Sequence, residues 1–222
     1  MSRVKDIELK VIPANIANNF IKKHHYSGKV VNNSYLHFGA FLDKKLHGVM
    51  QFGHSMDKAK IQPLVKGTEW NGFCELNRMA FDDFLPRNSE SYCIGKALRL
   101  IKKNAPHIKW VISFADGCSC GDGTIYRASN FVLTQIKKNA TMWINDKGEK
   151  KQNMSFHSDR TLKDGFKRLE GYMFRYIYFI DKRKQKDLMC DIIPFAKIKE
   201  LGADMYLGQK GLPKNANHKR TI

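Results

Sequence analysis

The sequence predicts an α/β protein of the α+β type, with helices packed on a mixed central β-sheet. Short β-branched and aromatic runs alternate with helical segments, which is typical of a sheet covered by helices. Two such runs, at 35–42 and 46–53, are separated by three residues and predict an antiparallel hairpin. A further run at 110–115 consists almost entirely of apolar, β-branched and aromatic residues and predicts a strand buried on both faces. These observations place a sheet at the centre of the fold.

The first part of the chain supplies a strand, a helix, the hairpin and another strand. Residues 7–12 alternate apolar and polar side chains, as a half-buried strand does. Pro13 stands where a helix over 14–23 would begin, and proline is favoured there. After the hairpin, a strand is predicted at 75–81 with Arg78 near its middle. A buried arginine needs a partner, so Arg78 is a candidate functional residue.

A long helix is predicted over 89–103. Ser89 is placed to cap its first turn, and two lysines complement the dipole at its last turn. The unpaired N–H groups at a helix N-terminus attract anions. We therefore expect a phosphate-binding site made by Arg87, Ser89 and Ser91.

The segment 108–131 carries the strongest signal for chemistry. Its apolar strand ends at Asp116, a glycine-rich loop follows, and a short helix is predicted over 123–130. A strand, a glycine-rich loop and a helix N-terminus together form a place where backbone N–H groups meet a reacting group. Asp116 and Tyr126 are both expected to point toward that place.

The second half of the chain is rich in β-prone segments. Strands are predicted at 131–136, 141–144, 174–180 and 189–193, because these runs are β-branched or aromatic, and the first two are expected to pair with each other. A basic, polar stretch at 157–168 has helical potential.

Length and composition predict one domain over 1–222 that ends in a basic tail at 208–222. No run is long and apolar enough to span a bilayer, and the amino terminus lacks the apolar segment of a signal peptide. We therefore expect an intracellular, cytoplasmic protein with no membrane partner. The sequence leaves the oligomeric state open, with a homodimer as one expectation.

Charge indicates the class of partner. The chain has 39 Lys and Arg residues against 21 Asp and Glu, a formal net charge of +18. Such a surface binds polyanions by counterion release, so nucleic acid is the leading expected partner. The candidate phosphate-binding residues are Lys29, Lys147, Lys150, Lys151, Lys182, Arg183, Lys184 and Lys186.

The cysteine and histidine residues predict little metal chemistry. Five cysteines in an intracellular chain argue against a disulfide framework, and Cys118 and Cys120 lack the second ligand pair of a zinc site. His25 and Tyr26 can carry protons, stack on a base or bind a metal. The alternative is a helix end at which histidine complements the dipole.

The order of elements resembles that of GNAT acetyltransferases. In that fold two central strands separate, and acyl-CoA lies between them with its pyrophosphate on the next helix. The resemblance implies that 75–81 and 109–115 are the separating strands and that acetyl-CoA or a related acyl donor is bound. The usual glycine-rich signature of the pyrophosphate loop is absent between Asp82 and Gly95.

Four motifs in order resemble the Mom family of DNA-modification proteins of Mu-like bacteriophages. They are HHYSGK (24–29), YLHFGAFL (35–42), ELNRMAF (75–81) and SFADG…GDGTIYRASNF (113–131). The resemblance covers most of 20–181. It implies that the exocyclic amine of adenine in double-stranded DNA is converted to carbamoylmethyl-adenine, which protects phage DNA from host restriction enzymes.

The resemblance also suggests roles for the candidate residues. Asp116 would orient or deprotonate the amine, and Tyr126 would give a proton to the leaving group. Arg78 would pair with Asp116 or bind a phosphate or carboxylate of the donor, which Ser91 would also contact. His25 with Tyr26 would bind DNA, move a proton, or bind iron together with a carboxylate.

The target adenine must leave the base stack to be reached, and Tyr26, Tyr35 or Phe38 are candidates to receive it. Two other functions fit the same sequence. One is a non-catalytic basic nucleic-acid-binding protein, in which Asp116 and Tyr126 are structural. The other is a conventional GNAT enzyme that acetylates a protein or a small-molecule amine.

Overall fold

A computed structural model describes residues 3–157, 159–206 and 209–210. Five helices and twelve strands occur in this part of the chain. They are β1 (Glu8–Val11), α1 (Ala14–His24), β2 (Ser34–Leu42), β3 (Lys45–Gly53), α2 (Lys58–Ile61), β4 (Phe73–Phe81), α3 (Ser89–Asn104), β5 (Trp110–Asp116), α4 (Thr124–Ala128), β6 (Val132–Lys138), β7 (Met142–Asn145), β8 (Lys150–Gln152), β9 (Phe166–Arg168), β10 (Tyr172–Phe179), α5 (Ala196–Glu200), β11 (Met205–Tyr206) and β12 (Gln209–Lys210).

The main sheet has seven strands in the order β1-β2-β3-β4-β5-β10-β6. Every neighbouring pair is antiparallel except β4 and β5, which are parallel. That parallel pairing joins only Phe73, Cys74 and Glu75 to the first three residues of β5. Beyond Glu75 the two strands separate, so the predicted mixed sheet with separating central strands is confirmed. The resulting cleft opens toward the carboxyl ends of β4 and β5.

Helices cover both faces of the sheet, as the apolar stripes in the sequence predict. Ala17 of α1 packs in one core cluster with Ala80 of β4, whereas Leu98 of α3 packs in another with Phe81. Since successive strand residues point to opposite faces, α1 and α3 lie on opposite sides of the sheet. Among the described residues, no helix is long and apolar enough to cross a bilayer.

One turn and one helix cap differ from the prediction. The hairpin between β2 and β3 has a two-residue turn, because Asp43 and Lys44 both adopt positive φ, at 50° and 63°, and Lys45 already starts β3. Ser89 does not cap α3: Asn88 is the capping residue, and the Ser89 hydroxyl donates to the carbonyl of Pro86.

Three predictions for the second half of the chain were wrong. The strands at 131–136 and 141–144 form, but β6 joins the main sheet and β7 joins a separate sheet of order β8-β7-β9. The stretch 157–168 contains one 3₁₀ turn and β9 instead of an α-helix. No strand forms within the described residues 189–193, where Ile193 makes a single isolated bridge to Leu133.

Two expectations about the ends and the domain stay predictions. Of the basic tail 208–222, residues 208 and 211–222 lie outside the described residues. The single domain over 1–222 is likewise a prediction.

Candidate active site

The cleft between β4 and β5 brings together the residues that the sequence singled out. Arg78 comes from β4, Asp116 from the end of β5 and Tyr126 from α4, while His25 and Tyr26 come from the segment after α1. The charges of Asp116 and Arg78 both influence the pKa of Tyr26, and Tyr126 does so as well. Residues from four separate parts of the chain thus meet in one place.

Asp116 is buried, with 8% of its surface exposed. Its Oδ1 accepts from the backbone N–H of Cys118 at 2.9 Å, and its Oδ2 accepts from the hydroxyl of Ser119 at 2.8 Å. Burial raises the pKa of Asp116, although these two hydrogen bonds and nearby Lys150 act in the opposite direction. Each carboxylate oxygen can accept a second hydrogen bond, so Asp116 can hold its own loop and still accept from an amine.

Tyr126 is buried and bonded to Ser113, which sequence analysis missed. The Ser113 oxygen lies 2.9 Å from the Tyr126 oxygen and 3.2 Å from the carbonyl oxygen of Leu76. Since a carbonyl only accepts and serine has one proton, Ser113 donates to Leu76 and the phenol donates to Ser113. Burial raises the pKa of Tyr126 to about 12, so the phenol is protonated at neutral pH. The available signal was a single hydroxyl within the apolar strand 110–115.

Gly123 fixes the position of α4. Its φ is +82°, and a Cβ at this position would stand 2.4 Å from the ring of Tyr176. The hydroxyl of Tyr176 donates to the carbonyl of Asp122. The loop therefore closes tightly on β10, and this closure sets where Tyr126 points.

The rings of His25 and Tyr26 lie against each other at a tilt of 32°, with centroids 4.2 Å apart. His25 Nδ1 lies 2.8 Å from the hydroxyl oxygen of Ser27. Burial, with help from the charge of Arg78, lowers the pKa of His25 to about 4, so the ring is neutral at pH 7. Tyr26 is 55% exposed, but burial of its hydroxyl end raises the pKa of this phenol. Tyr26 therefore offers an exposed ring face and a protonated hydroxyl to the cleft.

Arg78 does not pair with Asp116: no ion pair of Arg78 occurs in the described part of the chain. Its Nε donates to the carbonyl of Lys29 at 3.2 Å, and its Nη1 donates to that of Asn77 at 2.8 Å. These bonds tie the segment that carries Tyr26 to β4. They use two of the five donors of the guanidinium group.

Glu75 is a second acidic residue at the cleft that sequence analysis did not single out. It is the last residue of β4 that pairs with β5, so it lies where the strands begin to separate. Burial raises the pKa of Glu75, while hydrogen bonds from Ser55 and Asn77 oppose that shift. Its signal in the sequence was an acidic residue at the start of the predicted strand 75–81.

The two other aromatic candidates for a flipped base differ in exposure. Tyr35 is half-exposed on β2 and lies against His54, with ring centroids 4.9 Å apart. Phe38 is 2% exposed and belongs to the core. The expectation that Phe38 receives a base is therefore wrong.

The helix α3 begins after the seven residues that follow β4, the strand toward whose carboxyl end the cleft opens. Ser89 is buried and bonded to its own turn. The hydroxyl of Ser91 donates to the carbonyl of Asn88 at 3.1 Å, and Arg87 is exposed. Ser91 and Arg87 are thus better placed than Ser89 to meet a ligand at this helix end.

The basic residues fall into two groups on opposite sides of the molecule. Lys150 Nζ donates to the carbonyl of Cys118 at 2.7 Å, so the 147–151 group adjoins the Asp116 loop. The 182–186 group follows Phe179, which pairs with Trp110 at the start of β5. The structure therefore brings 147–151 to the cleft and places 182–186 at the other end of β5. Lys29 is exposed, and its backbone is bonded to Arg78.

The described residues contain no group of side chains suited to bind iron. No three His, Cys, Asp or Glu side chains among them lie close enough to share a metal ion. His25 and Tyr26 alone do not form a metal site.

The comparisons with known proteins agree with the four motifs. Residues 6–197 match the model of the Mom protein family. The chain belongs to this family. A Mom-family relative, the methylcarbamoylase Mom of Escherichia phage Mu, is 34% identical over an alignment of 200 residues, and the match covers 83% of this chain and 80% of that protein. The predicted resemblance is confirmed.

Solved structures similar to this Mom-family chain include two acetyltransferases. The spermidine/spermine N-acetyltransferase SpeG of Vibrio cholerae is 9% identical with a TM-score of 0.48, and the match covers 83% of this chain and 99% of that one. A GNAT-family acetyltransferase of Streptococcus pneumoniae is 7% identical with a TM-score of 0.46, and the match covers 78% and 98%.

Proposed function

We propose that this protein is a transferase that modifies the exocyclic amine of adenine in double-stranded DNA, giving carbamoylmethyl-adenine. The observation that carries the proposal is the convergence of Tyr26, Arg78, Asp116 and Tyr126 in one cleft of a Mom-family chain. The relative named as a methylcarbamoylase supports a transferase, and the net charge of +18 supports a polyanionic substrate. Protection of phage DNA from restriction enzymes would follow from the altered base.

The target adenine leaves the base stack and enters the cleft. The exposed ring of Tyr26 provides a surface on which the base stacks. Tyr35, on the neighbouring β2, is the second candidate. Because His25 is neutral, it offers a hydrogen-bonding group to the base or to a nearby hydroxyl without adding charge.

Asp116 acts on the amine. The lone pair of an exocyclic amine is delocalised into the ring, so a proton must leave as the new bond forms. The carboxylate accepts an N–H of the amine and then takes its proton as the nitrogen bonds to the donor carbon. Its bonds to Cys118 and Ser119 hold it in place throughout.

Tyr126 acts on the leaving group of the donor. This group departs with the electron pair of the bond to the transferred carbon, so it needs a proton. The phenol is protonated at neutral pH and supplies it. The Ser113 hydroxyl can then rotate from the Leu76 carbonyl and donate to the phenolate oxygen. Ser113 thus stabilises the charge that this transfer creates.

A donor related to acetyl-CoA would bind in the open part of the cleft. To give carbamoylmethyl-adenine it must carry a carbamoylmethyl group, and the bond from its methylene carbon to the leaving group breaks as the adenine nitrogen bonds to that carbon. Arg87 and Ser91, with the N–H groups of the α3 N-terminus, provide a place for phosphate. The remaining donors of Arg78 face a phosphate or carboxylate of the donor.

Restriction digestion tests the proposal. Plasmid DNA from bacteria that express the protein is digested with enzymes whose sites contain adenine and with enzymes whose sites contain only G·C pairs. We expect resistance at adenine-containing sites and normal cleavage at G·C-only sites. Equal cleavage at both would overturn the adenine proposal and favour a binding protein or an enzyme that acts on another amine.

A further inference from the structure

The small sheet of β7, β8 and β9 stands beside the cleft. Its strands lie between β6 and β10 in the chain, after Lys138, which pairs with Tyr172. The next residue of β10, Met173, pairs with Asp116. The small sheet therefore leaves the main sheet at the end where the candidate catalytic residues lie.

One face of this small sheet is occupied by its own aromatic cluster. Trp143, Phe156 and Phe166 pack together, with ring centroids 5.3 to 6.4 Å apart. Lys163 lies 3.8 Å and Arg168 5.5 Å from the centre of the Trp143 ring. The cations on this face are engaged with aromatic rings.

The other face presents lysines in a row. Ile144 pairs with Lys150 on one side and with Lys167 on the other, so the three side chains point to the same face. The two lysine Cα atoms are about 10 Å apart, which is two strand spacings. Lys150 reaches the carbonyl of Cys118 from this face, so the row is turned toward the Asp116 loop.

These lysines are available to a ligand. The Lys167 side chain is 76% exposed, and its nearest acid, Asp146, is 4.0 Å away and 92% exposed. A pair so exposed binds weakly. Lys147 is exposed in the turn between β7 and β8.

We propose that Lys150 and Lys167 on this face and Lys147 in the adjoining turn, called here together the lysine row, bind the phosphate backbone of the duplex next to the flipped adenine. The inference rests on the proposed function and specifies which basic surface serves it. The lysine row joins the loop that holds Asp116, so phosphates held there place the neighbouring nucleotide at the cleft.

The 182–186 group is poorly suited to this task. It lies at the opposite end of β5, about 20 Å away along a seven-residue strand. Arg183 makes two hydrogen bonds to Asp181, and Lys184 lies 3.0 Å from Asp187. Two of its four cations are therefore already neutralised by neighbouring carboxylates.

The salt dependence of duplex binding tests the lysine row. The double variant Lys147→Gln/Lys167→Gln removes two charges beside the cleft, and Lys102→Gln/Lys103→Gln removes two exposed charges at the end of α3. Binding of each full-length protein to one DNA duplex is measured over a range of salt. The slope of log K against log salt is negative, and we expect the first variant to reduce its magnitude by about 1.8 and the second to leave it near the wild-type value.

Three results would overturn the lysine row. The first is an unchanged slope in Lys147→Gln/Lys167→Gln. The second is an equal reduction of the slope in this variant and in Lys102→Gln/Lys103→Gln. The third is a larger reduction of the slope in Lys182→Gln/Lys186→Gln. Thermal unfolding of each variant confirms that it is folded. The adenine proposal is tested by a different measurement, the digestion of plasmid DNA. A protein that binds DNA through the lysine row but leaves adenine unaltered would contradict the adenine proposal and leave the lysine row standing.

Discussion

The phenol of Tyr126 belongs to the core and to the cleft at once. Its ring packs against Phe131 and Tyr176, while its hydroxyl meets Ser113 between the separating strands. A core tyrosine and a catalytic tyrosine look alike in a sequence, because both occupy an apolar face of a helix. The hydrogen bond to Ser113 distinguishes them, and only packing between distant strands creates it.

Replacement of Tyr126 by phenylalanine separates these two roles. Tyr126→Phe keeps the ring and removes the proton donor, so we expect the rate of adenine modification to fall about 100-fold or more. The free energy of unfolding should fall by only about 1 kcal/mol, because Ser113 retains the Leu76 carbonyl. The rate is followed as the modified fraction of plasmid adenine over time after induction. An unchanged rate would make Tyr126 purely structural.

At the scale of elements, the loop from β5 to α4 depends on one backbone conformation. Gly123 has φ +82° and lies against Tyr176, whereas Gly148 has φ +81° with open space around it. Both positions favour glycine for backbone reasons, but only Gly123 is also closely packed.

The two glycines form a matched pair of tests. Gly148→Ala should lower the free energy of unfolding by about 1 kcal/mol, since only backbone strain is added. Gly123→Ala should lower it by roughly 2 to 4 kcal/mol, because the new methyl group overlaps the Tyr176 ring. Chemical denaturation measures both values. Equal effects would show that the loop tolerates the methyl group and that Tyr126 is held by other contacts.

The end of α1 makes stability depend on pH. The folded pKa of His25 is about 4, below the ordinary value of 6.5. Below pH 6.5 His25 is therefore protonated in the unfolded chain but stays neutral in the folded protein, so acidification favours unfolding. From pH 7 to pH 5 we expect a loss on the order of 1 kcal/mol from this residue, after allowance for solvent screening.

The variant His25→Gln should lose that part of the pH dependence. Denaturation midpoints of wild type and variant are compared from pH 7 to pH 5. His37, whose pKa is also lowered by burial, contributes equally to both proteins and serves as an internal reference. Parallel pH profiles would mean that His25 is solvated and titrates normally.

At the scale of the whole molecule, the sequence predicts the elements better than it predicts their partners. The place of Asp116 and Tyr126 follows from an apolar run and the glycines after it, whereas the separating strands follow from the resemblance to GNAT acetyltransferases. Ser113 and Glu75 become visible only when β4 and β5 meet, since their positions depend on a register between residues far apart in the chain.

The wrong predictions share this cause. The run 189–193 is β-prone, but only Ile193 in it makes a bridge, to Leu133, while Leu188 just before the run bridges to Val65. The strand at 141–144 was assigned correctly, yet its partners are β8 and β9, and nothing local in the sequence identifies them. The basic groups 147–151 and 182–186 have similar compositions, so the sequence does not show which of them lies beside the cleft. Their positions differ because β10 runs antiparallel to β5 and carries the chain from one end of that strand to the other.

The most direct test of the account is mass spectrometry of nucleosides from plasmid DNA. Bacteria express either the wild-type protein or Asp116→Asn, in which the amide can still bond to Cys118 and Ser119 but cannot take a proton. The account predicts an adenosine species heavier by one carbamoylmethyl substituent with the wild type, and a loss of about 100-fold or more in the variant, with DNA binding retained. Unmodified adenosine from cells that contain folded, DNA-binding wild-type protein would contradict it.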